Sequence, residues 1–310
     1  MAGGEGGTRA TIAALGANSA IAASKFVAFA FTGSASMLAE SVHSVTDSAN
    51  QALLLLGMRR ARREATPLHP FGFGRERYFW SFIVAVVLFT LGGVFSIYEG
   101  LEKLRHPHEV TSYTWAIGVL CVAIVLETVS ITIAIREANH VRGDAGWVGF
   151  IRHARSPELP VVLLEDAGAL IGLVFALAGV SLSLVTDEPR YDAAGSLAIG
   201  VLLCVIAIVL AVELRSLLIG ESASPVDIEA IERAVKEDPN VERLIHMRTQ
   251  HIGPDELLVG MKVQLLPGLR IPQVAEAING VEAAVRRQVP AARMIYIEPD
   301  VHSSTLAEQR

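Results

Sequence analysis

Six stretches of the chain run for about twenty residues with few or no charges, the length a helix needs to cross a bilayer core. They are Thr11–Thr32, Ser36–Gly57, Tyr78–Gly100, Tyr113–Ile135, Leu159–Val185 and Ala193–Leu218. After Gly220 the period changes. Pro225–Glu237 and Pro272–Gln288 read as amphipathic helices, the first with Asp227 near its start. Val241–Thr249, Glu256–Leu265 and Arg293–Glu298 read as strands, the first two flanking a turn at Gly253–Pro254. The pattern predicts an α-helical membrane protein: a six-helix transmembrane domain over 1–219, then an α+β domain over 220–310 with helices on one side of a small open-faced sheet.

Ionisable side chains inside such spans are costly, by roughly 2.5–3.5 kcal/mol each on insertion scales. The second stretch nonetheless carries Glu40, His43, Ser44, Asp47 and Asn50, whose spacings of three, one, three and three put them on one side of a helix. Ser and Asn suffice for a seam that glues helices together. A histidine and two acids in the same stripe point to a path for a cation or a proton. The fifth stretch adds Glu165 and Asp166, which as neighbours point about 100° apart and cannot both aim straight at one ion; either is a candidate ligand. Beyond them Gly168, Gly172 and Ala176 form a small-residue stripe that lets another helix, most usefully the second, come close. Glu127, in the fourth stretch, suits a proton site, a ligand's neighbour or an ion pair with Lys25, and Asn18 suits a hydrogen bond between helices.

Charge placement gives an orientation. Arg59, Arg60, Arg62, Arg63, Arg75 and Arg77 lie between stretches two and three, and Arg136, Arg142, Arg152 and Arg155 between four and five. The alternate links hold little beyond Lys103, Arg105 and Arg190. The positive-inside rule then puts both termini and the α+β domain in the cytoplasm. The start MAGGEGGTRA lacks the order of a cleavable signal, so the first stretch reads as a retained span. Cys121 and Cys204 both fall within spans and read as buried core residues. A net charge of −6 gives no reason to invoke nucleic acid. No HExxH helix, GxSxG turn or GxGD pair argues for an intramembrane hydrolase, so an enzyme is not expected.

These residues, in this order, resemble the cation diffusion facilitator family of metal transporters over nearly the whole chain. The likeness runs through Asn18 and Lys25, SASMLAESVHSVTDSAN, HPFGFGRE, YEGLEKLRHP and YDAAGSLAIG. With VVLLEDAGALIGL and SLLIGESAS it is closer still to the subfamily containing the mitochondrial-type zinc transporter 9. The resemblance implies six spans, a cytoplasmic ferredoxin-like domain, and a homodimer joined through that domain and the transmembrane helices. It further implies exchange of a divalent cation for protons by alternating access. Residue by residue, His43 and Asp47 match the family's two ligands from the second span and Asp166 the second ligand from the fifth. The first of that pair falls at Val162, which cannot bind metal, so Glu165 or water would complete the shell. The loop motif has Phe73 where a second histidine is usual, leaving His69 alone. The cytoplasmic metal positions fall at Ile245, Met261, Tyr296 and Glu298, of which only Glu298 is a possible ligand. His246, His251 and His302 lie nearby and read as surface or strand residues, and His106 and His108 as solvent-exposed loop residues.

One imidazole with two or three carboxylates favours Zn2+, with Fe2+, Co2+, Cd2+ or Mn2+ as alternatives. Ligands must lose their protons to bind metal, which couples loading to proton release, and His43 titrates nearest neutrality. The expected function is proton-coupled efflux of Zn2+ across a bacterial-type inner membrane. The competing expectation is a non-transporting membrane subunit that keeps the fold.

Overall fold

The computed structural model describes residue 19 and residues 21–107, 112–143 and 146–301. These divide into two compact units, one drawn from Met1–Arg60 and Arg77–Arg215, the other from Ala61–Glu76 and Ser216–Arg310. Asn18, His108 and His302 lie outside the described residues.

The first unit is helical. Its elements are α1 (Ile21–Thr32), α2 (Ala35–Ala61), α3 (Glu76–Arg105), α4 (Tyr113–Arg142), the short α5 (Trp147–His153), α6 (Glu158–Thr186) and α7 (Arg190–Ile219). Among the described residues α3, α4, α6 and α7 are long and apolar enough to cross a membrane. Helix α2 has 27 residues, but its polar stripe keeps it out of that class, and α1 is shorter over the part described. Four such helices are therefore found where six were expected. Val122, Val125, Val129 and Ile133 of α4 are exposed at their apolar faces, as lipid-facing side chains are. Cys121 shares that exposure and is not a core residue, because apolar content alone does not distinguish an outward side from a core side; Cys204 is half-buried, its sulfur against Gly93 of α3. The seven-residue α5, in the link after α4, had no periodic signal long enough to predict it.

Helices α3 and α7 pack through small residues. A methyl group on Gly200 would sit 2.7 Å from the backbone nitrogen of Ile97 and 2.8 Å from the carbonyl of Gly93, closer than real side chains approach backbone. Gly200→Ala is therefore expected to cost about 1–3 kcal/mol by forcing the helices apart. Thermal unfolding of the detergent-purified variant checks this, and an unchanged midpoint would contradict the close packing. Midway along α3, Leu88–Val94 winds as a π-helix.

One end of the unit is held by a buried clasp. Gly33, at φ +64°, reverses the chain between α1 and α2, and its carbonyl accepts a hydrogen bond from Lys103 Nζ at 2.6 Å. Asp192, at the start of α7, accepts from Ser34 Oγ at 2.7 Å and the Ser36 amide at 3.3 Å, with its Oδ2 3.7 Å from Lys103 Nζ. Ser34 Oγ also accepts from the Met37 amide at 3.2 Å, which caps α2. At the other end of α3, Arg77 Nε and Nη2 grip Glu158 of α6 at 2.5 and 2.8 Å.

The second unit holds α8 (Pro225–Lys236), β1 (Val241–Gly253), β2 (Glu256–Leu265), α9 (Ile271–Gln288) and β3 (Met294–Pro299). The strand order is β1-β2-β3, with β1 antiparallel and β3 parallel to β2. Ile231 and Val235 of α8 and Val281 and Val285 of α9 cover Leu257, Val259 and Val263 of β2, leaving the opposite sheet face open. This is the α+β arrangement expected; β1 runs four residues past its predicted end because its pairing continues to Gly253↔Glu256.

Candidate metal site

The polar stripe of α2 follows from the three- and four-residue intervals of its ionisable and amide side chains, which bring them to one side of the helix. Glu40 and His43 are fully buried, Ser44 nearly so, and Asn50 fully. Helix α6 lies antiparallel against this side: Asp47 and Asn50 meet Glu165, and seven residues along each helix Glu40 meets Gly172. The small-residue stripe of α6 is shared. Gly172 takes Glu40 of α2 and Ile199 of α7, whereas Gly168 takes Ile206 and Leu203 of α7, so α7 uses as much of the stripe as α2 does.

His43 Nδ1 lies 3.4 Å from Asp47 Oδ1, and neither ring nitrogen has a hydrogen-bond partner. Leaving a buried polar group so unpaired costs about 1–3 kcal/mol, a cost that a bound ion removes. The Asp47 carboxyl faces that of Glu165 across the two helices. Glu165 Oε1 also accepts from Asn50 Nδ2 at 2.5 Å. Asp166 turns the other way, its Oδ2 accepting from Ser130 Oγ of α4 at 2.9 Å. The two adjacent acids of α6 thus face different helices. Among the described residues, no three His, Cys, Asp or Glu side chains gather closely enough to hold an ion. The structure brings His43, Asp47 and Glu165 into one chain of contacts and holds Asp166 apart on Ser130.

Lys25 of α1 is 1% exposed and donates to Glu40 Oε2 at 3.2 Å and Ser44 Oγ at 2.7 Å. Its ion-pair partner is Glu40, not Glu127, because α1 lies against α2 at this level. Glu127 is half-buried on α4, within electrostatic reach of Asp166, Lys25 and Glu40. Ser130 was not anticipated as a partner; its place one turn after Glu127 on the same helix was the available signal.

In the second unit, Met261 is buried and Tyr296 exposed. Glu298 Oε1 lies 2.8 Å from Lys262 Nζ, and the hydrogen bonds that Lys262 donates to Glu298 and Asp300 hold that ammonium above its usual pKa. His246 and His251 both lie on β1, the second of them buried. His69 stacks at 4.7 Å on Phe73, and His106 is exposed beside Glu102 at 3.0 Å.

The description of the cation efflux transmembrane domain matches residues 11–219. The chain belongs to the cation efflux family, and it is an integral membrane protein; the matched domain is a transport domain rather than a catalytic one. It is similar to the mouse "Proton-coupled zinc antiporter SLC30A9, mitochondrial", 34% identical over 231 residues, which are 74% of this chain and 41% of that protein. It is also similar to "Metal tolerance protein C4" of Arabidopsis thaliana, 33% identical over 248 residues, 79% of this chain and 54% of that one. The chain thus spans about half or less of the length of these relatives. The mouse protein's name places it in the mitochondrion, so it lends no support to the expected bacterial inner membrane. A nickel form of the MamM C-terminal domain matches 26% of this chain and all of that one at 20% identity, with a TM-score of 0.24, and nothing further rests on that likeness.

Proposed function

We propose that this chain is a secondary transporter that exchanges Zn2+ for protons by alternating access, carrying the metal out of the cytoplasm. The observation that carries the reading is His43, fully buried with no hydrogen bond to either ring nitrogen, 3.4 Å from the Asp47 carboxylate, which in turn faces Glu165 of α6. A divalent ion entering here would take up an imidazole nitrogen and carboxylate oxygens, and any proton those ligands carry must leave as it binds, which is antiport chemistry at the level of atoms. The proposed ligands are His43 and Asp47, with Glu165 in the place that Val162 leaves without a donor, and Asp166 joining when it exchanges Ser130 for the ion. The chemistry of one imidazole among carboxylates favours Zn2+ over Fe2+, Co2+, Cd2+ or Mn2+. In this reading α1 and α2 complete a set of six spans over 1–219, the domain at 220–310 is cytoplasmic, and two copies form a homodimer through that domain and the spans.

The test is zinc uptake by inside-out proteoliposomes, which should require an imposed proton gradient. Saturable zinc binding to the purified protein should disappear in His43→Ala. A second reading, a membrane subunit that keeps the fold without transporting, draws on Val162 and on the attachment of Asp166 to Ser130. Zinc binding that saturates normally in His43→Ala, together with no uptake by the parent protein, would favour that reading instead.

A further inference from the structure

We infer that Lys25 sets the metal selectivity of the site by holding Glu40 out of the ligand set. The inference rests on the transport reading above.

Glu40 has the position of a ligand. It is one turn before His43 on the same side of α2, and it faces α6, the helix that supplies Glu165 and Asp166. It is fully buried, and its Oε1 has no hydrogen-bond partner; that oxygen lies 2.7 Å from where a methyl group on Gly172 would be. Its other oxygen is held by Lys25, whose ammonium is anchored a second time by Ser44, the neighbour of His43. Helix α1 thus places a fixed positive charge against the only acid of the α2 stripe other than Asp47.

Two consequences follow. The pair is neutral, so Glu40 adds no net charge to the Asp47, Glu165 and Asp166 group. The carboxylate is also tethered by a charge-assisted hydrogen bond, so it cannot turn to an ion beside His43. A site left with one imidazole and few oxygens suits Zn2+, while every added carboxylate moves the preference toward oxygen-seeking ions such as Mn2+. Lys25 is therefore a positioning residue that acts through Glu40. Selectivity is a difference of affinities, and here it comes partly from a donor withheld.

The experiment measures uptake of Zn2+ and Mn2+ by proteoliposomes holding the full chain, as wild type, Lys25→Met, and Lys25→Met with Glu40→Gln. Freeing Glu40 in Lys25→Met should raise the Mn2+ to Zn2+ uptake ratio by about tenfold, the scale on which one relocated buried charge acts. Adding Glu40→Gln should return the ratio to near the wild-type value, which a merely structural role for Lys25 would not do. An unchanged ratio in Lys25→Met, or a raised ratio that the double variant does not correct, overturns the inference. If Lys25→Met does not elute as a folded protein, Glu40→Gln alone decides. It leaves the ammonium without its counter-charge beside His43, so zinc binding should weaken by about tenfold, and an unchanged Kd overturns the inference. A wild-type protein that moves neither ion brings down the transport reading, and this inference with it.

Discussion

Asp47→Ala should stop zinc uptake in proteoliposomes, with a loss of more than about a hundredfold, since even partners one step removed from a metal commonly cost 10–100-fold. Asp47 holds the middle of the contact chain. It lies 3.4 Å from His43 on its own helix and faces Glu165 across to α6. Removing it takes away a proposed ligand and also the side chain that lies between the imidazole and the Glu165 carboxyl. Asp166→Ala, by contrast, removes a side chain held by Ser130 in this state and should leave some residual transport. The two variants should therefore differ in rate at equal protein in the membrane. Wild-type transport by Asp47→Ala would mean that the metal passes elsewhere.

The largest expected loss of stability comes from the clasp at the other group of buried charges. Asp192→Ala removes the acceptor for Ser34 Oγ and the Ser36 amide and takes away the carboxylate 3.7 Å from Lys103. The ammonium keeps the Gly33 carbonyl at 2.6 Å and the more distant charge of Glu99 on its own helix. Breaking a buried pair from one side costs about 3–5 kcal/mol, because a desolvated charge is left behind. Thermal unfolding of the detergent-purified protein should show this as a large drop in midpoint. Arg190→Ala, two residues away, loses only an exposed contact with Glu188 at 3.7 Å and should change stability by less than about 0.5 kcal/mol. Equal midpoints for the two variants would remove the clasp from the account of what holds α2, α3 and α7 together.

Local spacing carries information about which residues share a side of a helix, and there the sequence was legible. The α2 stripe is fully visible in the intervals between Glu40, His43, Asp47 and Asn50, and the α+β unit follows from the change of period after Gly220. Spacing says nothing about how far one helix is rotated toward another. That is why Lys25 was weighed as a partner for Glu127 when its ammonium meets Glu40, and why spacing left open which of Glu165 and Asp166 faces α2. The same limit applies to Cys121. An apolar helix reads alike on its lipid side and its protein side, because lipid and core select the same residues.

The π-helical stretch Leu88–Val94 has a bearing on phase along α3. The buried residues there run Leu88, Gly92, Ser96, Gly100, in steps of four. In an α-helix three such steps overshoot three full turns by about 120°, enough to carry Gly100 off the side that Leu88 occupies. A wider turn winds less per residue and absorbs that excess. It keeps the small-residue seam against α7 in line with Tyr78, Ser81 and Ala85 nearer the start of the helix. It also determines which way Lys103 points when it reaches the Gly33 carbonyl. The two ends of α3, gripping Glu158 at one and Asp192 at the other, are thus geared to each other through seven residues. Rewinding that turn to an ordinary helix would rotate one grip relative to the other without breaking the rod.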